Sequence, residues 1–447
     1  MVRNSDNREF SRTLMRLALP MAMQNLISFL VTLADTVMVG VLGDTALSAV
    51  SLASQPYLIF NTLVFGISSG GTVLASQYRG KGKIREIRET TTVIMWLAIM
   101  LSLLYGGICV LFPKQIISLF SNDTAVISTA VPYLRIIVIS YIFNAVSLCY
   151  LAVLKAVENV KIATKVYTCS LLIKIFVTWI MIFVLKTGIE GAAAATIAAR
   201  AFEMICCIVY SMHEEQTGFR FTQMFSININ ILVLAVKQSL PIILHELNWS
   251  VATSAQVAVI GNVSSVFLTA QSIALIPQDL AVAFLQGLAS AAAVMTGNEI
   301  GKGHKETAFK NTKKLLRVSL AAGIMSCLLI LITRSPFLLL YPNITQEGIE
   351  LSYQLITILA FLSISLAIEY CCLIGILRGA GDTFFAFLCD SGCMWLIGLP
   401  LGWAAANIWH CSYPVIFLLL KCDTAAKVIL CMIRMRNSSY MKDITVK

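Results

Sequence analysis

Apolar residues in this chain come in long blocks, not in alternation with polar ones. Val93–Phe112, Ile136–Leu154 and Val318–Thr333 are examples. A block near 20 residues, wound as a helix, is long enough to cross a bilayer. Strands of a membrane barrel would alternate apolar and polar positions, and these blocks do not. The pattern predicts about twelve such helices. The first six are Leu17–Val41, Leu47–Ser76, Thr91–Phe112, Tyr133–Leu154, Val166–Leu185 and Ala192–Met212. The second six are Gln238–Ile260, Val263–Thr296, Leu315–Thr333, Leu351–Ile374, Phe387–Ile408 and Pro414–Ile433. The polar stretch His213–Lys237 separates the two sets.

The second set begins as a copy of the first. Leu240–Gly303 lies on Leu19–Gly82 without a gap, at a constant shift of 221 positions. The shift carries Pro20 to Pro241, Gly40 to Gly261, Ala49 to Ala270, Pro56 to Pro277 and Gly66 to Gly287. It also carries Gly80-Lys81-Gly82 to Gly301-Lys302-Gly303. Helix breakers and permissive glycines at one offset mean one backbone path used twice. An even number of spans per copy returns the chain to its starting side. The copies are therefore expected to be parallel, related by an axis along the membrane normal, with a cavity between them. The expected division is a lobe of residues 1–212, a connector of residues 213–237 and a lobe of residues 238–447.

Composition agrees with a membrane protein. The 447 residues are 58% hydrophobic and 13% charged, about half the charged fraction of a soluble domain. The net charge of +10 reflects topology and does not indicate a nucleic-acid partner. Alternate loops collect the cations: Arg3 to Arg16, Arg79 to Arg88, Lys155 to Lys165, Arg220 and Lys237, Lys302 to Arg317, Arg378, and Arg434 to Lys447. The opposite loops hold little beyond Lys114, Lys186 and Arg334. That bias puts the first set, with both termini, in the cytoplasm. The 13 cysteines form no CxxC pair and read as small apolar fillers. The first apolar block, from Leu14, is too long for a signal peptide and is read as a span.

Several motifs resemble the multidrug and toxic compound extrusion (MATE) family. They are Ala34-Asp35-Thr36-Val37-Met38-Val39-Gly40 with Leu42-Gly43, and Ala46-Leu47-Ser48-Ala49-Val50. Others are Gly66, Gly70 and Ser76-Gln77-Tyr78 before Gly80-Lys81-Gly82, then Leu377-Arg378-Gly379-Ala380-Gly381-Asp382-Thr383 and Trp395-Leu396-Ile397-Gly398-Leu399-Pro400-Leu401. The resemblance runs from about Leu14 to Arg436. It implies an all-α integral membrane fold, with twelve transmembrane helices in two parallel-repeat six-helix bundles. It also implies a secondary antiporter that exports organic, often cationic, compounds in exchange for Na+ or H+ by alternating access between two lobes. The same superfold leaves a lipid-linked precursor flippase or a metabolite exporter as the alternative. The expected setting is a monomer in the cell membrane. Its partners would be the bilayer, a small organic substrate and Na+ or H+, with no cofactor and no nucleic acid.

Charges inside spans cost about 2.5 kcal/mol or more and need a reason. Asp35 shares one face of span one with Gln24, Ser28 and Thr32, a stripe suited to a cavity wall or cation site. The resemblance places an acid at this motif position. Lys174 on span five stands where the family usually has Asn, and it suits a pair with Asp35. Such a pair would shift ion coupling away from the N-terminal half. On span seven, Glu246 shares a face with Ser250 and Thr253; a carboxylate with two hydroxyls is a candidate for Na+ or H+. Its neighbour His245 is a candidate proton relay or a structural histidine. Asp279 follows Pro277, where a freed carbonyl and an unwound turn would make an ion site. Asp390 on span eleven, Gln256, Tyr57 and Trp249 complete the candidate substrate lining. Phe60, Phe65, Tyr150 and Phe284 are aromatics of the same kind. Arg200 with Glu203, and Asp423 with Lys427, are helix-spaced pairs.

Other chemistries lack their motifs. His245-Glu246 opens like a zinc-protease motif, but position 249 is Trp. No P-loop Gly-Lys-Ser/Thr is present, which disfavours ATP-driven pumping within the chain. Four scattered histidines make no metal cluster.

Overall fold

Where no water can satisfy a bare backbone, an apolar chain must pair its own N–H and C=O groups, and helix does so locally. The computed structural model describes residues 2–120, 123–214, 217, 228–339 and 345–445, and no strand occurs among them. The helices of the first half are α1 (Val2–Gly40), α2 (Asp44–Gly80), α3 (Ile84–Leu111), α4 (Pro113–Ser118), α5 (Thr124–Ile137), α6 (Ile139–Ala156), α7 (Val160–Trp179) and α8 (Gly188–His213). Those of the second are α9 (Ile229–Val263), α10 (Ser265–Gly301), α11 (Lys305–Leu338), α12 (Gln346–Tyr370), α13 (Thr383–Cys393), α14 (Leu399–Asn407), α15 (Tyr413–Leu420) and α16 (Asp423–Arg434). Much of the 213–237 connector lies outside the described residues, as does Arg220.

Among the described residues, eleven helices are long and apolar enough to cross a membrane. Large apolar side chains such as Leu104, Ile332 and Leu396 lie bare on the surface, as lipid-facing positions do. The fourth span is divided between α5 and α6, and the twelfth between α15 and α16. Among the described residues, three stretches wind as π-helix: Ile180–Val184, Cys371–Leu377 and Met394–Gly398. Such turns recur at functional sites. Two of these three flank the charged cluster described below.

The expected unwinding at Pro277 is not found, because α10 runs unbroken from Ser265 to Gly301 with that proline inside. The break lies in the twelfth span instead, at Lys421-Cys422. The carbonyl of Leu420, freed by that break, accepts a hydrogen bond from Gln256 Nε2 at 3.0 Å. Lys421 Nζ donates to Gln256 Oε1 at 2.8 Å. Gln256, expected to line a substrate cavity, thus serves as a buried clamp on a helix break.

The chain forms two compact units. One is Leu26–Ile243; the other joins Met1–Asn25 to Leu244–Lys447. The amino end of α1 therefore belongs with the second half, and the amino end of α9 with the first. The duplicated glycines show how. A Cβ on Gly287 would fall 2.6 Å from Ala22 Cα, and one on Gly66 would fall 3.1 Å from Ile243 Cα. Gly66 and Gly287 are related by the 221-residue shift, and so are positions 22 and 243. One contact, made twice, lets two helix backbones meet where no side chain intervenes. The repeated Gly-Lys-Gly ends α2 and α10 in the same way, with Gly82 at φ 69° and Gly303 at φ 80°, the left-handed stop that glycine adopts without strain.

Candidate functional site

A connected cluster of ion pairs lies in the unit formed by Met1–Asn25 and Leu244–Lys447, and it starts from His245 and Glu246 on α9. Arg378 follows the π-helical stretch Cys371–Leu377 and is almost wholly buried. Its Nη2 donates to Glu246 Oε1 at 2.7 Å and to His245 Nδ1 at 2.8 Å. On the other side of the ring, His245 Nε2 lies 3.1 Å from Asp390 Oδ2, on α13. Asp390 Oδ1 in turn lies 2.7 Å from Lys427 Nζ, on α16. Lys427 also reaches Asp423 at 2.7 Å and Glu369 at 3.3 Å. Gly398, in the π stretch after α13, leaves the room Asp423 needs: a Cβ there would sit 3.1 Å from the Asp423 carboxylate.

Four carboxylates thus share two fixed cations in one network, buried except at Glu246, whose side chain is about a fifth exposed. With all four ionised and His245 neutral, the network carries two negative charges in excess. A desolvated excess of this kind needs protons or cations from outside to balance it. Glu246 Oε1 accepts from Arg378, and one oxygen each of Asp390 and Asp423 lies 2.7 Å from Lys427, while the buried Glu369 Oε2 and Asp390 Oδ2 have no hydrogen-bond partner. Among the described residues no group of three or more His, Cys, Asp or Glu side chains is arranged to hold a metal ion. A second polar seam ties the same elements together. Asn248 donates to Ser391 Oγ at 2.8 Å and accepts from Trp395 Nε1 at 2.9 Å.

The other candidates fall outside this network. Ser250 is exposed, and Thr253 Oγ1 donates back to the carbonyls of Trp249 and Ser250. A hydroxyl within a helix readily bonds its own preceding turn, so sharing a face with Glu246 does not bring these two into its shell. Trp249 and Asp279 are exposed, and no hydrogen bond or ion pair reaches Asp279 among the described residues. Asp390, expected to line the substrate cavity, is buried and paired with Lys427.

In the Leu26–Ile243 unit, Lys174 Nζ reaches Asp35 Oδ2 at 3.0 Å. The Lys174–Asp35 pair is one acid and one base, each about a fifth exposed, with the buried Asp35 Oδ1 left without a hydrogen-bond partner. Ser28 lies 3.3 Å from the Tyr167 hydroxyl, and Arg200 stacks over the Tyr167 ring while it donates to Glu203 at 2.8 Å. Thr32 is exposed and bonds back to the Ser28 carbonyl. Gln24, buried, falls in the other unit, so the stripe on α1 divides between the two. Tyr57 is half-buried, its ring 5.6 Å from that of Tyr141. Phe60 and Tyr150 are fully buried core residues that line no surface, whereas Phe65 and Phe284 are exposed.

Arg378, Lys427 and Glu369 were the residues that sequence reasoning undervalued. Arg378 counts as one more loop cation in the charge pattern, yet it is buried against Glu246. Its signal was position: a lone arginine directly after an apolar block, with no lysine or arginine within ten residues on either side.

The family model MatE matches residues 20–180 and 241–404, the two repeats. Probable multidrug resistance protein NorM of Agrobacterium fabrum is 25% identical over 411 residues, covering 89% of this chain and 87% of that protein. Probable multidrug resistance protein NorM of Thermotoga maritima is 26% identical over 197 residues, covering 43% of this chain and 42% of that protein. Among solved structures, a mutant of the Vibrio cholerae MATE transporter VcmN superposes with a TM-score of 0.90 at 15% identity, covering 98% of this chain and 99% of that one. A MOP superfamily transporter from Pyrococcus furiosus, whose reversed binding-pocket polarity suggests a different function, gives 0.88 at 15% identity, covering 98% and 97%. At these identities the structural likeness speaks for the fold.

Proposed function

Since the chain belongs to the MatE family of membrane transporters, we propose that it is an efflux antiporter whose ion coupling resides in the His245–Glu246–Asp390–Lys427 network. Its cargo is a small organic, cationic compound. It is exchanged for H+ or Na+ by alternating access between an N-terminal and a C-terminal lobe, in the cell membrane, with both termini cytoplasmic and the chain acting as a monomer. No cofactor enters the cycle. An ion drives such a cycle only through unequal affinity for the two access states. A network two charges short of neutrality has that capacity, because ion uptake changes its balance and so the cost of burying it.

The observation that carries this reading is the contrast between the two acidic sites. Asp35 is neutralised by Lys174 at 3.0 Å, so its charge is spent inside the protein. The Glu246 network has four acids for two fixed bases. The test is efflux of a fluorescent organic cation from proteoliposomes under separately imposed pH and Na+ gradients. Uphill movement under at least one gradient supports the reading. Failure of both, with movement of a neutral or anionic cargo, contradicts it.

A further inference from the structure

We propose that His245 Nδ1 is the proton-loading atom of this transporter, and that the proton competes with Arg378 for the lone pair of that nitrogen. The inference rests on the efflux reading above and names its ion and its point of entry.

The geometry fixes the state of the ring. A guanidinium carries N–H donors and no acceptor. Arg378 Nη2, with two hydrogens, points one contact of 2.7 Å at Glu246 Oε1 and one of 2.8 Å at His245 Nδ1. Nδ1 must therefore accept, so it carries no hydrogen. The imidazole is neutral, and its one proton is on Nε2, the atom facing Asp390 Oδ2 at 3.1 Å. Glu246 Oε1 lies only 3.3 Å from Nδ1. Two acceptors that close are held together by the single Arg378 amino group between them.

A proton arriving from water changes this arrangement in one defined way. It bonds to Nδ1, no covalent bond breaks, and the ring becomes imidazolium. Nδ1–H now faces Glu246 Oε1 as a donor, and the N–H of Arg378 that pointed at Nδ1 has no acceptor there. Proton and guanidinium cannot occupy the same lone pair. Loading therefore displaces Arg378 from the ring, and unloading readmits it.

The groups facing His245 support the exchange. They are Glu246 on its own helix, Arg378 after the π stretch, and Asp390 on α13, with Lys427 of α16 behind Asp390. Glu369 of α12 and Asp423 share Lys427, and Tyr370 follows Glu369 in the chain. With the carboxylates ionised, proton uptake takes the network from two negative charges in excess to one. Na+ fits this site poorly. It needs several oxygen ligands, and each acid already gives one oxygen to Arg378 or Lys427, which leaves the buried Glu369 Oε2 and Asp390 Oδ2 without a hydrogen bond. A Na+ at those two oxygens would share the Glu369 and Asp390 carboxylates with the Lys427 ammonium, whereas a proton needs one lone pair. Arg378 also heads the glycine turn to Asp382, where Gly381 has φ 78°. Its displacement therefore acts directly on the link between α12 and α13.

The test uses the full chain in lipid nanodiscs with 15N-labelled histidine, of which the chain has four. Above its titration, wild-type His245 is expected as a single neutral tautomer with the proton on Nε2. On acidification it is expected to carry protons on both nitrogens. In Arg378→Leu the Nδ1–H tautomer should appear, because its competitor is gone. A neutral wild-type ring protonated on Nδ1, or no double protonation on acidification, overturns the proposal even if no Arg378 variant folds. In proteoliposomes a pH gradient should drive uphill efflux and a Na+ gradient should not. His245→Gln should abolish the pH-driven component. Efflux driven by Na+ alone, or pH-driven efflux intact in His245→Gln, refutes the proton claim while leaving the efflux reading standing. Efflux under neither gradient counts against the efflux reading itself.

Discussion

Lys427 is the side chain on which the buried network most depends, and its removal has a calculable consequence. Its ammonium holds Asp390 and Asp423 at 2.7 Å each and Glu369 at 3.3 Å. Lys427→Met keeps most of the buried stem and deletes only the charge. Three carboxylates then share a site from which their common cation has gone. Breaking a buried pair by removing one partner costs about 3–5 kcal/mol, because the remaining charge is left uncompensated. Since three acids lose the same partner, the upper end of that range is expected. The assay is thermal unfolding of purified protein in detergent, followed by tryptophan fluorescence. Lys427→Met should melt well below wild type, and adding Asp423→Asn should recover part of the loss by removing one orphaned acid. Lys310→Met serves as the control: its pair with Glu306 lies in solvent, at 68% and 83% exposed, and its loss should leave the melting temperature unchanged. If Lys427→Met melts with the wild type, or Asp423→Asn gives no recovery, the network is not the stressed, charge-balanced object described above.

Three further outcomes follow from the fold. Gly66→Val and Gly287→Val should each lower expression and broaden the gel-filtration peak to a similar degree, since both drive side-chain atoms into the backbone of the facing helix. Tyr440 is wholly buried, with its hydroxyl 3.0 Å from Thr312 Oγ1, so Tyr440→Ala should cost about 3–5 kcal/mol in the same melting assay. Burial pushes the Tyr440 hydroxyl up to about 12. Its folded value thus lies above the unfolded one, and its stabilisation should be whole below about pH 10 and decline above that.

The twelve-span pattern and the duplication were legible because both are written in single residues: apolar blocks, prolines and glycines at a fixed shift. The Lys174–Asp35 pair was legible too, since two opposite embedded charges have few alternatives to meeting. Other features depended on tertiary placement. Which helix end packs in which unit is decided by Gly66 and Gly287, whose contacts lie more than 170 residues away along the chain. The eighth span runs unbroken past Pro277, while the twelfth breaks at Lys421, where Gln256 satisfies the carbonyl that the break frees. Ser250 and Thr253 share a helical face with Glu246, but a hydroxyl on a helix has a nearer acceptor in its own backbone. Arg378 looked like a loop cation because charge patterning counts residues near a span end and does not see burial.

The central claim is that ion coupling belongs to the Glu246 network and not to Asp35. Its most direct test is gradient-driven efflux in proteoliposomes reconstituted with equal amounts of folded Asp35→Asn and Glu246→Gln protein. The account predicts that Glu246→Gln loses uphill efflux while Asp35→Asn retains it, since Lys174 has already neutralised Asp35. Loss in Asp35→Asn with full coupling in Glu246→Gln would contradict it.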